Sequence, residues 1–226
     1  MTTWKGVFGV KVSGFFFGNN KMRKNTMNAQ EILENTEFKK CLEFHGHLCP
    51  GLSMGYRAAT AGMAYLKEKN RSIDEELVVI TETDACGADA IQVITGCTFG
   101  KGNFIYKDYG KTAFTFFSRK TGKGVRIALK YNAFDISDRH VALISRIMTD
   151  IASDNERKEF QSLHVERSKD ILQKPFDELF SINDVSMPIP DKAKIEKSQA
   201  CKQCNEPVMP SKLDNNHICR GCLESI

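Results

Sequence analysis

The apolar positions in the first half of the chain predict two helices, a strand and a third helix. Residues 28–44 carry apolar side chains at broadly helical spacing. A second helix is expected over residues 50–69, because the proline at its start suits the first helical position. The β-rich run at 77–83 predicts a strand, and residues 88–95 predict a short helix directly after it.

The second half predicts an antiparallel hairpin followed by more helices. Two β-rich runs, 112–118 and 125–130, flank a glycine-containing turn. Residues 137–180 return to helical spacing, with a break expected at Lys174-Pro175. A proline- and lysine-containing stretch, 187–200, lacks any apolar period and predicts a linker. The chain therefore divides into the following segments: an extension at 1–27, a core domain at 28–186, the linker, and a small C-terminal domain at 201–226.

Composition is typical of a soluble globular protein, with 41% hydrophobic and 27% charged residues. A length of 226 residues is typical of one main domain with a small additional domain. No run of about 18 apolar residues occurs, so no membrane-spanning helix is expected. The apolar stretch 4–18 is interrupted by Lys11 and lacks a cleavage site, so we expect a cytoplasmic protein. A further hypothesis is that translation begins at Met22 or Met27, which would make residues 1–27 dispensable.

The eight cysteines fall into two separate groups, four in the first hundred residues and four in the last twenty-six. In a reducing cytoplasm, paired Cys-x2-Cys spacings favour metal sites over disulfides. The four ligands of a closed, structural Zn²⁺ site are expected to be Cys201, Cys204, Cys219 and Cys222. His217 is expected to be a bystander. The charge of this tail is too small for a phosphate-binding surface, so nucleic acid is not its expected partner.

A second constellation lies at the start of the second predicted helix. His45, His47 and Cys49 fall within five residues, and the positive end of the helix is expected to lower the pKa of Cys49. Cys86 follows the first predicted strand, where loops commonly assemble a site. We interpret His47, Cys49 and Cys86 together as a functional site that suits either a metal ion or a thiolate nucleophile. His45 and Cys97 are further candidates for the same site.

The remaining cysteine and histidines have simpler interpretations. Cys41 is predicted to be a buried core residue, since free cysteine behaves as a small hydrophobe. Cys97 is equally consistent with such a role, and its glycine-rich loop with Lys101 could instead bind an anion through backbone N–H groups. His140 and His164 are expected to be ordinary helix-surface residues.

Residues 101–131 form a basic segment, with eight lysines and arginines against one acid, Asp108. The simpler interpretation is a solvated strand face whose lysines protect a sheet edge. The alternative is a face that binds an anionic ligand or an acidic partner, with Lys101 and Lys111 as the candidate anion-binding residues.

Four ordered motifs resemble the FmdE family of formylmethanofuran dehydrogenase components. They are His45-Gly46-His47-Leu48-Cys49-Pro50-Gly51, Asp84-Ala85-Cys86-Gly87-Ala88-Asp89-Ala90-Ile91-Gln92, Gly96-Cys97-Thr98-Phe99-Gly100-Lys101-Gly102-Asn103 and Asp108-Tyr109-Gly110-Lys111. The two C-terminal cysteine knuckles are similar to the auxiliary zinc finger that some members carry. One departure is Asn205, where the knuckle usually has glycine, but asparagine is well tolerated in a left-handed turn.

The resemblance implies an α+β core with a mainly antiparallel sheet flanked by helices, a C-terminal treble-clef-type zinc finger, a homodimer and a core metal site. The family is named for an operon encoding a molybdenum or tungsten oxidoreductase that reduces CO2 on methanofuran. The leading hypothesis is a cytoplasmic metal-binding accessory protein serving such an oxidoreductase. In it, a core transition metal, with zinc preferred, is held by His47, Cys49 and Cys86, and His45 and Cys97 are nearby or alternative ligands. Two alternatives stay open: a non-catalytic regulatory or interaction module that binds an acidic partner or nucleic acid, and a thiol enzyme using Cys49 or Cys86. The sequence leaves open whether the protein is an enzyme, and on what substrate.

Overall fold

The structure is a computed structural model that describes residues 28–224. The predicted extension at 1–27 lies outside the described residues. The chain divides into two compact units between Pro190 and Asp191. Helices and a five-stranded sheet make up the first unit, which confirms the predicted α+β class.

The first unit contains seven helices and five strands within the described residues. Its helices are α1 (Ala29–Glu34), α2 (Thr36–His45), α3 (Pro50–Leu66), α4 (Gly87–Thr95), α5 (Asp138–Met148), α6 (Asp154–Gln173) and α7 (Phe176–Leu179). Its strands are β1 (Leu77–Thr81), β2 (Phe104–Tyr106), β3 (Ala113–Ser118), β4 (Gly124–Leu129) and β5 (Phe180–Asp184). A single 3₁₀ turn, Phe99–Lys101, precedes β2.

The sheet has the order β2-β1-β3-β4-β5 and is mainly antiparallel, as predicted. Strands β3 and β4 form the predicted hairpin, with Thr115 opposite Arg126. Strand β1 pairs antiparallel with β3, and only β2 runs parallel to its neighbour β1. All residues of β1 and β3 are buried, so both faces of the central strands are covered.

Helices α3 and α4 pack together unusually closely because both carry glycine at their crossing. A Cβ atom added to Gly55 would lie 2.2 Å from the carbonyl oxygen of Gly87. Glycine is therefore required at position 55 by the close approach of the two backbones. This crossing brings together the first turns of α3 and α4, which are preceded by Cys49 and Cys86 respectively.

The predicted helix over 28–44 is in fact two helices that meet at Asn35. The Asn35 side chain accepts a hydrogen bond at 2.8 Å from the backbone N–H of Glu37 and so caps α2. Such a capping bond lets a short polar residue end one helix and begin the next. The sequence interpretation missed this signal because the apolar period continues across Asn35.

The predicted helical region 137–180 also differs from the observed structure. Helix α5 ends at Met148, and α6 begins after the capping residue Ser153. The expected break at Lys174-Pro175 is confirmed, since α6 ends at Gln173. The segment Phe180–Asp184 forms β5, which the sequence did not predict, and it pairs antiparallel with β4. Pairing with an existing strand edge decides this conformation, since the segment has little periodicity of its own.

The second unit has few elements. It contains β6 (Gln199–Ala200), β7 (Pro207–Val208), a 3₁₀ turn at Pro210–Lys212 and α8 (Arg220–Leu223). Strands β6 and β7 form a short antiparallel pair, and Cys201 and Cys204 lie in the segment that connects them. Across residues 28–224, no helix is long and apolar enough to cross a membrane.

Candidate metal centres

The first centre forms where α2 ends and α3 and α4 begin. Helix α2 ends at His45, and Gly46 has a φ of 91°, a left-handed conformation that turns the chain sharply. His47 lies in the following loop. Cys49 is the N-cap of α3, and its sulfur accepts the backbone N–H of Leu52 at 3.3 Å. The turn and the cap together direct three candidate metal ligands, His45, His47 and Cys49, toward one point.

Ligand atoms of His45, His47 and Cys49 all lie within 4.8 Å of one another. The Cys49 Sγ is 3.5 Å from Nε2 of His45. The rings of His45 and His47 have centroids 4.5 Å apart. A mixed set of imidazole nitrogen and thiolate sulfur is the donor chemistry that Zn²⁺ and related d-block ions prefer. The residues present therefore fit a transition metal.

Cys86 lies beside this group, directly before the first turn of the neighbouring helix. A Cβ atom added to Gly51 would be 3.6 Å from the Cys86 Sγ and 3.8 Å from the Cys49 Sγ, so the two thiols flank the same glycine. The thiols interact closely enough that Cys86 contributes to raising the pKa of Cys49, after the larger effect of burial. The structure thus brings together His45, His47, Cys49 and Cys86, although the tightest grouping contains His45 rather than Cys86.

Asp89 is a member of the site that the sequence interpretation did not single out. Its Oδ2 lies 2.7 Å from Nδ1 of His45, and the His45 side chain is 10% exposed. A carboxylate on Nδ1 holds the proton there and leaves Nε2 to face Cys49. The sequence feature that could have identified Asp89 is its position, three residues after Cys86 and on the first turn of a predicted helix.

Burial dominates the electrostatics of Cys49. It raises the pKa of the thiol to about 11, outweighing the hydrogen bonds from Leu52 and Gly51 that favour the thiolate. The expectation that the helix end would lower this pKa is wrong, because desolvation of the sulfur is the larger effect. A metal ion must displace this proton to bind, so its affinity should rise with pH.

Cys97 does not join the group among the described residues. It follows the C-terminal end of α4, opposite to the end that carries Cys86, and it is fully buried in the apolar core. Burial raises its pKa to about 11. Cys41 is also fully buried, as predicted, and its pKa is raised to about 12. Both residues pack as small hydrophobes.

The two candidate anion-binding lysines have different environments. The Lys101 ammonium donates to the carbonyl oxygens of Ser72, Ile73 and Asp74 at 3.3, 3.1 and 3.3 Å. Because three carbonyl oxygens occupy its donors, the Lys101 ammonium stabilises the loop before β1 and is not available to bind an anion. Lys111 is exposed and lines a shallow cavity of about 380 Å³. Arg126 and Lys130 also line it.

Two arginines of the basic segment 101–131 are paired with acids of the same unit, and Lys130 is bonded to a backbone carbonyl. Arg126 forms a bidentate pair with the buried Glu82, at 2.6 and 2.8 Å. Arg119 lies 3.7 Å from Glu75, and Lys130 donates to the Asp177 carbonyl at 2.5 Å. These contacts favour a structural role for the segment over an open anion-binding face.

The second centre lies in the second unit and consists of the four C-terminal cysteines. Their sulfur atoms all lie within 4.8 Å of one another, with Cys201 and Cys222 at 4.0 Å and Cys204 and Cys219 at 3.9 Å. Backbone N–H groups bond to the Cys201 sulfur and lower its pKa to about 6. Asn205 adopts the expected left-handed conformation, with a φ of 62°. His217 is outside the cluster.

His140 and His164 are not the surface residues that the sequence suggested. His140 is buried with 5% exposure, and His164 is half-buried beside it. Their facing ring nitrogens, Nε2 of His140 and Nδ1 of His164, are 3.4 Å apart. The expectation was wrong because α5 and α6 pack against each other through these positions.

The fold and the His/Cys site together define a class of α+β proteins with a histidine–cysteine centre and an appended four-cysteine cluster. The model of the family described as "FmdE, Molybdenum formylmethanofuran dehydrogenase operon" matches residues 44–181. The chain therefore belongs to the FmdE family, as its motifs indicated.

Two individual proteins are also similar to this chain. One is a "probable S-adenosyl-L-methionine-binding protein" of Archaeoglobus fulgidus, 30% identical over 191 residues. That match covers 81% of this chain but only 51% of the relative, so the chain spans about half of its length. The other is the crystal structure of a tungsten formylmethanofuran dehydrogenase FmdE-like protein from Syntrophus aciditrophicus. It is 24% identical with a TM-score of 0.51, and the match covers 87% of this chain and 92% of that one.

Proposed function

We propose that this protein is a metal-binding accessory protein of a molybdenum or tungsten formylmethanofuran dehydrogenase-type system. Its first unit would hold a transition metal, with zinc preferred, through His45, His47, Cys49 and Cys86. The observation that carries this proposal is the grouping of His45, His47 and Cys49, whose ligand atoms lie within 4.8 Å of one another. Membership of the family supports the association with such a dehydrogenase.

The residues around the proposed centre supply what a metal site needs. Asp89 would orient His45 by accepting its Nδ1 proton at 2.7 Å. The backbone N–H of Leu52 donates to the Cys49 sulfur and would stabilise its thiolate. A bound ion of this class supplies Lewis acidity, and a set of three or four protein ligands decides whether a position stays open for another molecule.

The C-terminal cluster would hold a separate, structural Zn²⁺. Four cysteines complete a tetrahedral set, so no ligand position is left for a substrate. The second unit carries little apolar side-chain area, so metal binding would supply much of its folding free energy. A treble-clef-type finger is the form that the family resemblance implies.

A thiol enzyme is the weaker alternative. Cys49 does contact His45, which in turn contacts Asp89, an order that resembles a nucleophile, its base and an orienting carboxylate. However, burial raises the Cys49 pKa to about 11, whereas a nucleophilic cysteine requires a lowered pKa. The metal site is therefore favoured over the nucleophile.

The name of the Archaeoglobus relative makes S-adenosylmethionine a candidate ligand. Half of that protein lies outside the match, so its ligand has no necessary connection with the residues shared here. Calorimetric titration of S-adenosylmethionine into the full chain tests this alternative, and saturable binding in metal-free protein would favour it over the metal-based function.

Cobalt substitution tests the proposed centre. In Co²⁺-loaded protein, thiolate ligands give charge-transfer absorption, and Cys49→Ser should lose part of that absorption together with one bound ion per chain. Cys41→Ser is the matched control, because Cys41 is a buried cysteine of the same unit that lies outside the group. Unchanged metal content and absorption in Cys49→Ser would refute the proposal.

A further inference from the structure

Four of the five histidines in the chain lie in the first unit, where they form two pairs. The first pair is His45 and His47, whose rings lie 4.5 Å apart in the His/Cys centre. The second pair is His140 on α5 and His164 on α6, which face each other. The fifth, His217, lies in the second unit.

The spacing of the last pair does not suit an ordinary hydrogen bond. Nε2 of His140 and Nδ1 of His164 are 3.4 Å apart, beyond the usual range of about 2.7–3.2 Å for an N–H donor. A tetrahedral ion with metal–nitrogen bonds of about 2.0–2.1 Å holds two of its nitrogen ligands roughly 3.3–3.4 Å apart. The observed separation therefore matches the bite of two imidazoles on one metal ion.

Aromatic packing holds both rings in place. The guanidinium of the nearby Arg167 lies over the ring of Phe134, 4.2 Å from its centroid. Phe160 packs on both rings, with centroids 4.5 Å from His164 and 5.6 Å from His140.

We infer that His140 and His164 form a second binding position for a divalent d-block cation of the zinc class. With two imidazoles and no thiolate, this position binds its ion less tightly than the centre does. The inference goes beyond the proposed function, because it adds a second ion to the first unit.

A cobalt titration of the full chain tests the inference, with total bound Co²⁺ and thiolate charge-transfer absorption measured on the same samples. His164→Gln and His140→Gln should each bind one ion per chain fewer than the parent protein, with the charge-transfer absorption unchanged. His217→Asn is the matched control and should bind the same number of ions as the parent. His164 is only half-buried, so His164→Gln keeps the test valid if His140→Gln does not fold.

Two results would overturn the inference. The first is an equal number of bound ions in the parent and both variants, which would leave the pair as a packing contact between α5 and α6. The second is loss of the ion together with the charge-transfer absorption, which would mean that the pair only supports the centre. Failure of the proposed function is distinguishable from either, because it appears as unchanged absorption in Cys49→Ser.

Discussion

The carboxylate of Asp89 lies 2.7 Å from Nδ1 of His45 and so fixes which nitrogen of that ring faces Cys49. The two residues are 44 positions apart and belong to different helices, α4 and α2. Their contact joins the helix that follows Cys86 to the helix that carries His45, and makes one site out of two motifs.

Replacing Asp89 should weaken metal binding without unfolding the protein. In Asp89→Asn the amide no longer holds the Nδ1 proton as a carboxylate does, so we expect metal affinity to fall by roughly 10–100-fold. Competition with a chelator in the Co²⁺-loaded protein measures this. Asp84 is an exposed aspartate in the loop that precedes α4, and Asp84→Asn is the control that should keep the parent affinity. Equal affinities for all three proteins would show that Asp89 does not position the ligand.

Replacing Gly55 should destabilise the first unit. The added Cβ of Gly55→Ala would lie 2.2 Å from a backbone oxygen, which cannot move aside as a side chain can. Overpacking of this kind costs about 1–3 kcal/mol, and urea denaturation measures it as a lower midpoint. Gly100→Ala is the control, because nothing lies within 4 Å of the added atom. A midpoint for Gly55→Ala at or above that of Gly100→Ala would contradict the close α3–α4 crossing.

The stability of the metal-free first unit should fall as the pH drops below neutrality. The folded-state pKa values of His140 and His164 are lowered, so the unfolded chain binds protons first, from its ordinary pKa of about 6.5. The stabilisation is therefore complete above about pH 6.5 and is lost as the pH falls toward the folded pKa.

Urea midpoints at about pH 7.5 and 5.5, bracketing the ordinary histidine pKa, measure this effect. The drop between them should be smaller in His164→Gln than in the parent protein, and should stay the same in His217→Asn. An identical drop in the parent and in His164→Gln would mean that other groups carry the pH dependence.

The C-terminal cluster should tolerate glycine but not valine at position 205. Asn205 has a φ of 62°, and a β-branched residue in that conformation costs roughly 1–2 kcal/mol. We expect Asn205→Val to release its metal to a chelator faster than the parent, and Asn205→Gly to release it no faster. Equal release rates for the two variants would mean that the turn does not support the cluster.

The sequence by itself predicted the elements whose signals are local. The hairpin of β3 and β4, the strand–helix order around Cys86 and the left-handed turn at Asn205 each follow from periodicity or turn chemistry within a few residues. The four-cysteine spacing and the His45-to-Cys49 motif likewise marked two groups of ligating residues before any fold was known.

Tertiary structure alone decided the relationships between distant residues. Whether β5 is a strand depends on the free edge of β4, and whether Cys97 is a ligand or a core residue depends on which end of α4 meets the site. The pairing of Asp89 with His45, and of His140 with His164, follows from the packing of separate helices. Such contacts have no local sequence signature, because burial and backbone approach create them only after the chain has folded.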